Sequence, residues 1–415
     1  MNKSLLKNKD FNLLMAATFI STVGTIVQNT ALSLYVLDTT QSSVKFASVL
    51  VLSSLPQLIL GPFCGVISDW VDRKKFMVIL NMISAMVIIV PTILLFNNKI
   101  TLSVIYAIVI TLGFIMAFYS PTSAGVVRII VKDKNLSDAY AINSLIDSIE
   151  YMIAPMIGAI VYSLFGLKII FLLNGLSFIL AAILQFKIHI PLKKETIDKL
   201  SFKKFNSDFS QGITYIFNNK NLWYLAVTIM LFNFFSAPLF SVGTGYIAKL
   251  QFKVSNEQFS LIETIGVIAS FMGPVLYAFT KNKISLQKLF QLSIFISAIL
   301  ILLISLISTN FLNNLFGSYV LYLILFFIIS LVEGPLNIAI MTLIQNSIDI
   351  EYIGRSNGII TTMFIGLVPL GQLFYGMLFD YMYIAIPYVI SAIAYIALII
   401  FYRRKCMLLR KHNIE

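Results

Sequence analysis

Charged side chains are scarce in this chain: Asp, Glu, Lys and Arg make up 12% of its 415 residues, against 59% apolar ones. A soluble domain carries about 25% charged residues to face water, so an ordinary soluble globule is excluded. Cysteine is nearly absent. The two present, Cys64 in an apolar block and Cys406 in a basic tail, lie on segments not expected to meet, which leaves no disulfide framework. Histidine is limited to His189 and His412, both outside the apolar blocks, so a histidine proton relay is excluded and no metal site is expected. Neither a G-x-x-x-x-G-K-S/T loop nor an H-E-x-x-H or G-x-S-x-G pattern occurs. Nucleotide hydrolysis within the chain and intramembrane hydrolysis therefore lose their residues: no enzyme activity and no cofactor are expected.

Long apolar runs are what the chain has. A bilayer core of ~30 Å needs roughly 20 helical residues. Twelve blocks of about that length appear, at 11–37, 43–68, 76–96, 100–126, 142–165, 167–186, 222–248, 257–280, 289–309, 315–345, 358–379 and 382–402. The first is too long for a signal-peptide core and is expected to remain as a helix. The net charge of +12 does not point to nucleic acid, because the basic residues sit between apolar blocks and do not gather on one soluble face. With the N-terminus inside, 25 of the 30 Lys and Arg residues fall on cytoplasmic segments, leaving only Lys45, Lys99, Lys168, Lys249 and Lys253 outside. Basic residues are retained on the cytoplasmic side during insertion, so both termini are expected there.

The longest polar stretch, 187–221, divides the blocks into six and six. The expected organisation is a six-helix bundle over 1–186, a linker over 187–221, a second six-helix bundle over 222–402 and a basic cytoplasmic tail over 403–415. Within the linker Phe202, Phe205, Phe209, Ile213 and Ile216 recur at helical spacing, which predicts a helix lying on the membrane surface, with a solvated loop as the alternative. A shift of 214 residues lays Pro121 on Pro335, Asn143 on Asn357 and Pro155 on Pro369. Weak similarity between halves of like orientation is the mark of parallel repeats with a cavity at the bilayer midplane. The fold class is thus an all-α membrane protein of twelve transmembrane helices in two pseudo-symmetric bundles.

Between the second and third blocks stand Gly65, Asp69, Arg73, Lys74 and Lys75. The glycine one turn before the acid admits a neighbouring helix, and the acid and basic cluster can pair with a helix end or with each other. This resembles the loop signature of the major facilitator superfamily, G-x-x-x-D-R-x-G-R-R/K, matched at Gly65, Asp69, Arg73 and Lys74, with Trp70 and Asp72 departing from it. Gly61-Pro62 upstream and the stretch 140–164 are similar to the macrolide-efflux branch of drug and proton antiporters. Pro155 and Gly158 match that branch's fifth-helix motif, although Ala154 and Ala159 stand where glycines are usual. No arginine lies within the fourth block, where many proton-coupled relatives have one. The resemblance implies the major facilitator fold, a multi-pass protein of the plasma membrane, a monomer, and proton-driven export of a hydrophobic or amphipathic small molecule. Siderophore export, lysophospholipid movement and a sensor on a transporter fold are the alternatives.

Four acids fall within apolar blocks: Asp147, Glu150, Glu263 and Glu333. Such a group costs about 2.5 to 3.5 kcal/mol near the bilayer centre on insertion scales, so each is expected to face a cavity or a polar partner. Asp147 and Glu150 are three residues apart and share a face with Asn143, Ala154 and Gly158. They are read as a proton or cation site; a solvated pair near the cytoplasmic mouth is the alternative. Glu333 shares a face with Asn337 beside Gly334-Pro335, and Glu263 lies near the outer end of its block. Either can take a cationic substrate. The first block carries Thr22, Thr25, Asn29 and Ser33 on one stripe, suited either to lining the cavity or to joining helices. Phe232, Phe234, Phe235 and Phe240 flank Pro238, an apolar binding surface or ordinary packing.

Overall fold

The computed structural model describes residues 5, 7–97, 99–132, 135–189, 214–280, 283–308, 315–348, 363–364 and 366–412, and no strand occurs among them. The helices are α1 (Lys9–Thr40), α2 (Ser43–Trp70), α3 (Arg73–Phe96), α4 (Leu102–Ile130), α5 (Leu136–Phe186), α6 (Lys220–Pro238), α7 (Asn256–Thr280), α8 (Leu286–Ser308), α9 (Leu315–Gln345), α10 (Val368–Tyr381) and α11 (Ala385–His412). Polar side chains set several of the starts. Asp72 accepts from the Lys75 N–H at 3.1 Å to open α3, and Asn219 accepts from the Leu222 N–H at 3.1 Å to open α6.

The structure bears on three of the expected boundaries. The blocks at 142–165 and 167–186 are two helical arms of α5, parted at Gly166, whose φ of 71° and ψ of −178° only glycine adopts without strain. The chain turns back there, since Ala139 and Ile188, near the two ends of α5, share one core. The last helix does not stop at 402 but continues through the basic tail to His412. The described α10 begins at Val368, so Pro369 stands in a first turn, where its missing N–H is harmless, and not in a helix interior. The linker helix expected from Phe202, Phe205 and Phe209 lies outside the described residues.

Ten helices among the described residues are long and apolar enough to cross a membrane. Their outer surfaces fit that reading. Met86, Ile89 and Val90 on α3 are 61, 55 and 61% exposed, a ridge that water would penalise and lipid would not.

The contacts divide the chain into two compact units, Met1–Thr39 with Val49–Leu200, and Thr40–Ser48 with Ser201–Glu415. In the first, α3 runs along α5 and also packs on α4. One core joins Ala31, Val36, Ile88, Ile108, Leu112 and Phe171; another joins Phe11, Leu14, Met77, Tyr119, Val126 and Val131. In the second, α7 and α8 both pack on α9, and α10 and α11 pack on α6. After Pro238, α6 continues through π-helical turns at Leu239–Gly243 and Ile247–Gln251.

The start of α2 is held within the second unit by one carboxylate. Asp380, at the end of α10, accepts from the Ser42 hydroxyl at 2.6 Å, the Ser43 N–H at 2.6 Å and the Val44 N–H at 3.1 Å. Gly376, one turn earlier, lets Ser43 and Val44 approach: a Cβ there would lie 3.1 Å from the Ser43 carbonyl oxygen and the Val44 Cα. The carboxylate satisfies N–H groups that have no partner inside the helix and complements its positive end. Asp380→Ala is expected to cost about 2 kcal/mol of stability. Thermal unfolding in detergent reads this as a fall of several degrees, with Lys45→Ala, an exposed residue of α2, as the control.

Candidate functional site

On α5 the acids fall where a cavity opens inside the first unit. Asn143 donates through Nδ2 to Asp147 Oδ2 at 2.9 Å, the i to i+4 spacing that places both on one face. Glu150, one turn further, is 2% exposed, and its Oε1 has no hydrogen-bond partner among the described residues. The cavity beside them has a volume of about 160 Å³ and is walled by α1, α2, α4 and α5, through Thr18 and Thr22, Gln57, Tyr119 and Ser123, and Asn143, Asp147, Glu150 and Tyr151 among others. No Lys, Arg or His is among its lining residues. An ionised carboxylate buried without a donor costs several kcal/mol. The arrangement therefore calls for a positive partner, either a proton or a cationic ligand group.

A second polar feature reaches the same cavity and has no counterpart in the sequence analysis. Asn81 of α3 donates to Gln185 Oε1 at 2.9 Å, and Gln185 donates through Nε2 to the Tyr119 hydroxyl at 2.6 Å. Tyr119 lies 3.1 Å from the Thr18 hydroxyl. Asn81 and Gln185 are 3% and 0% exposed. The only sequence signal for them was an amide within an otherwise apolar block, and two such amides 104 residues apart reveal nothing of their contact.

Of the first-block stripe, Thr22 lines the cavity, while Thr25 and Ser33 return their hydroxyls to carbonyls of their own helix at 2.8 Å. Asn29 is half-buried and its Oδ1 accepts no bond from the described residues. Pro155 lies within α5 without ending it. Gly158 is a contact residue: a Cβ there would stand 2.9 Å from the Val27 carbonyl oxygen and 3.0 Å from Thr30 Cβ, so the glycine sets how near α5 comes to α1.

The remaining acids lie in the second unit. Glu333 accepts from the Ser236 hydroxyl at 3.3 Å, Asn337 on the next turn is exposed, and Glu263 is half-buried on α7. The phenylalanines about Pro238 are engaged with other rings: Phe232 packs on Tyr395 at 4.8 Å between centroids, Phe234 on Phe374 at 5.9 Å and Phe240 on Phe326 at 5.8 Å.

At the loop motif, Gly65 and Asp69 fall on the last turns of α2. Arg73 reaches α4, donating from Nη1 to the Gly125 carbonyl at 3.3 Å, with its Nε 2.8 Å from where a Gly125 Cβ would sit. The guanidinium occupies space that only glycine leaves open. Lys74 stands over the Phe186 ring at 5.4 Å. Asp72, the departure from the family pattern, is the residue that caps α3.

Comparison with known proteins agrees with this architecture. An uncharacterized MFS-type transporter of Bacillus subtilis, YkuC, is 26% identical over 417 residues, covering 92% of this chain and 94% of that protein. Macrolide efflux protein A of Streptococcus pyogenes is 24% identical over 229 residues, 55% of this chain and 56% of its own length. Among solved structures, a mutant of the nucleoside transporter NupG superposes with a TM-score of 0.70 at 14% identity, covering 95% of this chain and 99% of that one. A bacterial homologue of the iron transporter ferroportin in its inward-facing state gives 0.69 at 14% identity, covering 95% and 98%. The family profile described as Major Facilitator Superfamily matches residues 14–371, and the chain is a multi-pass membrane transporter belonging to that superfamily.

Proposed function

We propose that this transporter exports a hydrophobic or amphipathic small molecule carrying a positive charge, in exchange for protons, by alternating access. The observation that carries the reading is the cavity holding Asp147 and the unpartnered Glu150 carboxyl, walled without a basic side chain. One pair of acids then serves two cations in turn: a proton arriving from outside discharges the site and releases the substrate, and loss of that proton inside restores it. Exchange of one proton for one singly charged substrate moves no net charge, so the pH difference drives it and holds about a tenfold concentration ratio per pH unit, about 1.4 kcal/mol. The relative named for macrolide efflux supports the outward direction. Twelve crossings in two six-helix bundles, 1–186 and 222–402, with both termini in the cytoplasm of a monomer in the plasma membrane, complete the proposal. The loop residues Gly65, Asp69, Arg73 and Lys74 serve as a latch on one conformation, and Glu263, Glu333, Asn29 and Asn337 remain secondary candidates for contact with the substrate.

The test is accumulation of macrolides, cationic dyes and siderophores in a pump-deficient bacterium expressing the chain, with and without a protonophore. Lower accumulation of amine-bearing compounds, abolished by the protonophore, is expected. Equal accumulation with and without the transporter across the panel rejects export of these classes; protonophore-insensitive export rejects the proton.

A further inference from the structure

The last helix carries its exposed apolar face directly into a cluster of cations. Along α11, Ile386, Ile393, Ile396 and Ile400 are exposed and recur at spacings of seven, three and four residues, one ridge of the lipid-facing surface. The next positions on that ridge, three and four beyond Ile400, are Arg403 and Arg404, and both are exposed. The opposite side of the helix is committed to its own unit. Tyr395 packs on Phe232 of α6 at 4.8 Å between centroids, Tyr402 on Phe290 of α8 at 5.2 Å, and Lys405 stands 5.2 Å over the Tyr224 ring of α6. Because α11 continues to His412, Arg410 and Lys411 follow two turns after Arg403 and Arg404. No Asp or Glu occurs between Ala385 and His412 to neutralise these charges from within the helix. Sorting of basic residues to one side during insertion acts on their number; their placement on the lipid-facing ridge is a separate property of the folded helix.

We propose that this end of α11 is a binding site for an anionic phospholipid, whose acyl chains lie along Ile393, Ile396 and Ile400 and whose phosphate meets Arg403 and Arg404. From Ile393 to Arg403 the helix rises ~15 Å, about the depth of one leaflet's hydrocarbon, so a lipid in contact with the ridge presents its headgroup at the level of the two guanidinium groups. A guanidinium offers paired N–H donors to phosphate oxygens, and a group of cations just beyond a membrane helix attracts negatively charged headgroups. A zwitterionic lipid brings the same phosphate with a cation of its own, which cancels that attraction. Net headgroup charge therefore decides occupancy.

The test is native mass spectrometry of the purified full chain in detergent, titrated with phosphatidylglycerol and with phosphatidylcholine of the same acyl chains. The wild-type protein should bind phosphatidylglycerol the more tightly. In Arg403→Gln with Arg404→Gln, the ratio of the phosphatidylglycerol to the phosphatidylcholine dissociation constant should rise roughly twenty-fivefold, about fivefold for each charge removed. Arg403→Lys with Arg404→Lys keeps both charges and should hold most of the preference, which separates lost charge from a damaged fold. Lys45→Gln with Lys99→Gln removes two exposed cations elsewhere and should leave the ratio unchanged. Equal affinity of the wild-type protein for the two lipids, an unchanged ratio in the glutamine pair, or the same rise in the control pair overturns the proposal. Displacement of phosphatidylglycerol by an equal concentration of inorganic phosphate would mean that the apolar ridge takes no part, and overturns a phospholipid as the occupant.

Discussion

Leucine at Gly273 is expected to remove the folded protein from the membrane. Gly273 on α7 and Gly334 on α9 meet face to face: a Cβ on the first would lie 2.6 Å from the Gly334 Cα, and one on the second 2.4 Å from the Gly273 Cα. Carbon atoms at those separations repel strongly, and the atom in the way is backbone, so no rotamer change relieves it. The two helices must part along a contact that α7 and α9 make over much of their length. Overpacking in a close-packed interior costs about 1 to 3 kcal/mol where side chains can yield. Here the cost exceeds that range, and helix pairs in lipid depend on close approach because lipid supplies no hydrophobic drive to hold them together. Gly175→Ala is the contrasting substitution. The nearest atom to its new methyl is Ile88 Cγ2 at 3.5 Å, an ordinary contact, and alanine gains helix propensity of about 0.5 to 1 kcal/mol over glycine. Detergent extraction followed by size-exclusion chromatography separates the outcomes: no monodisperse peak for Gly273→Leu, a wild-type peak for Gly175→Ala. A monodisperse, active Gly273→Leu protein would show that this crossing does not have the geometry described.

Neutralising both acids, Asp147→Asn with Glu150→Gln, is expected to abolish gradient-driven export while leaving the protein in the membrane. The substitutions keep size and shape, and Asn143 retains a carbonyl oxygen to which its Nδ2 can donate at position 147. The loss is confined to charge. Removing an ionisable group from a buried polar site usually relieves a desolvation cost, so unfolding temperature should hold or rise. Uptake into inverted vesicles energised with an acidic lumen measures the effect; transport driven by the gradient should fall to the level of empty vesicles, a loss of more than tenfold. Each single substitution leaves one carboxyl in the cavity and should retain part of the activity. Wild-type uptake by the double variant would take coupling away from α5 altogether.

Particular residues show how far the chain could be read without its structure. Apolar blocks gave the helices because lipid exposure acts on average composition over about twenty residues, which a linear scan measures directly. The break at Gly166 was legible as the boundary between two apolar blocks, while the positive φ that makes it a turn was not. The face shared by Asn143, Asp147 and Glu150 was legible because helical periodicity alone places residues four and three apart on one side. The opposite wall was not. Thr18, Gln57, Tyr119 and Ser123 belong to three other helices, and nothing in their local sequence distinguishes them from the many hydroxyls and amides that bond within a helix. Asp380 was passed over for the same reason: an acid after an apolar block reads as a solvated helix end, and its partners Ser42, Ser43 and Val44 lie more than 330 residues away.

The sequence by itself determined that this chain lives in lipid, which residue types its interior must contain, and which short motif joins it to its superfamily, because each of these depends on transfer free energy or on neighbours along the chain. Tertiary structure alone decided that Glu150 is buried without a donor among the described residues, that Gln185 joins Asn81 to Tyr119 on two other helices, and that Asp72 and Asp380 secure helix starts. Those properties come from the spacing between distant segments to within an ångström, and at that scale directional bonds and steric exclusion take over from composition.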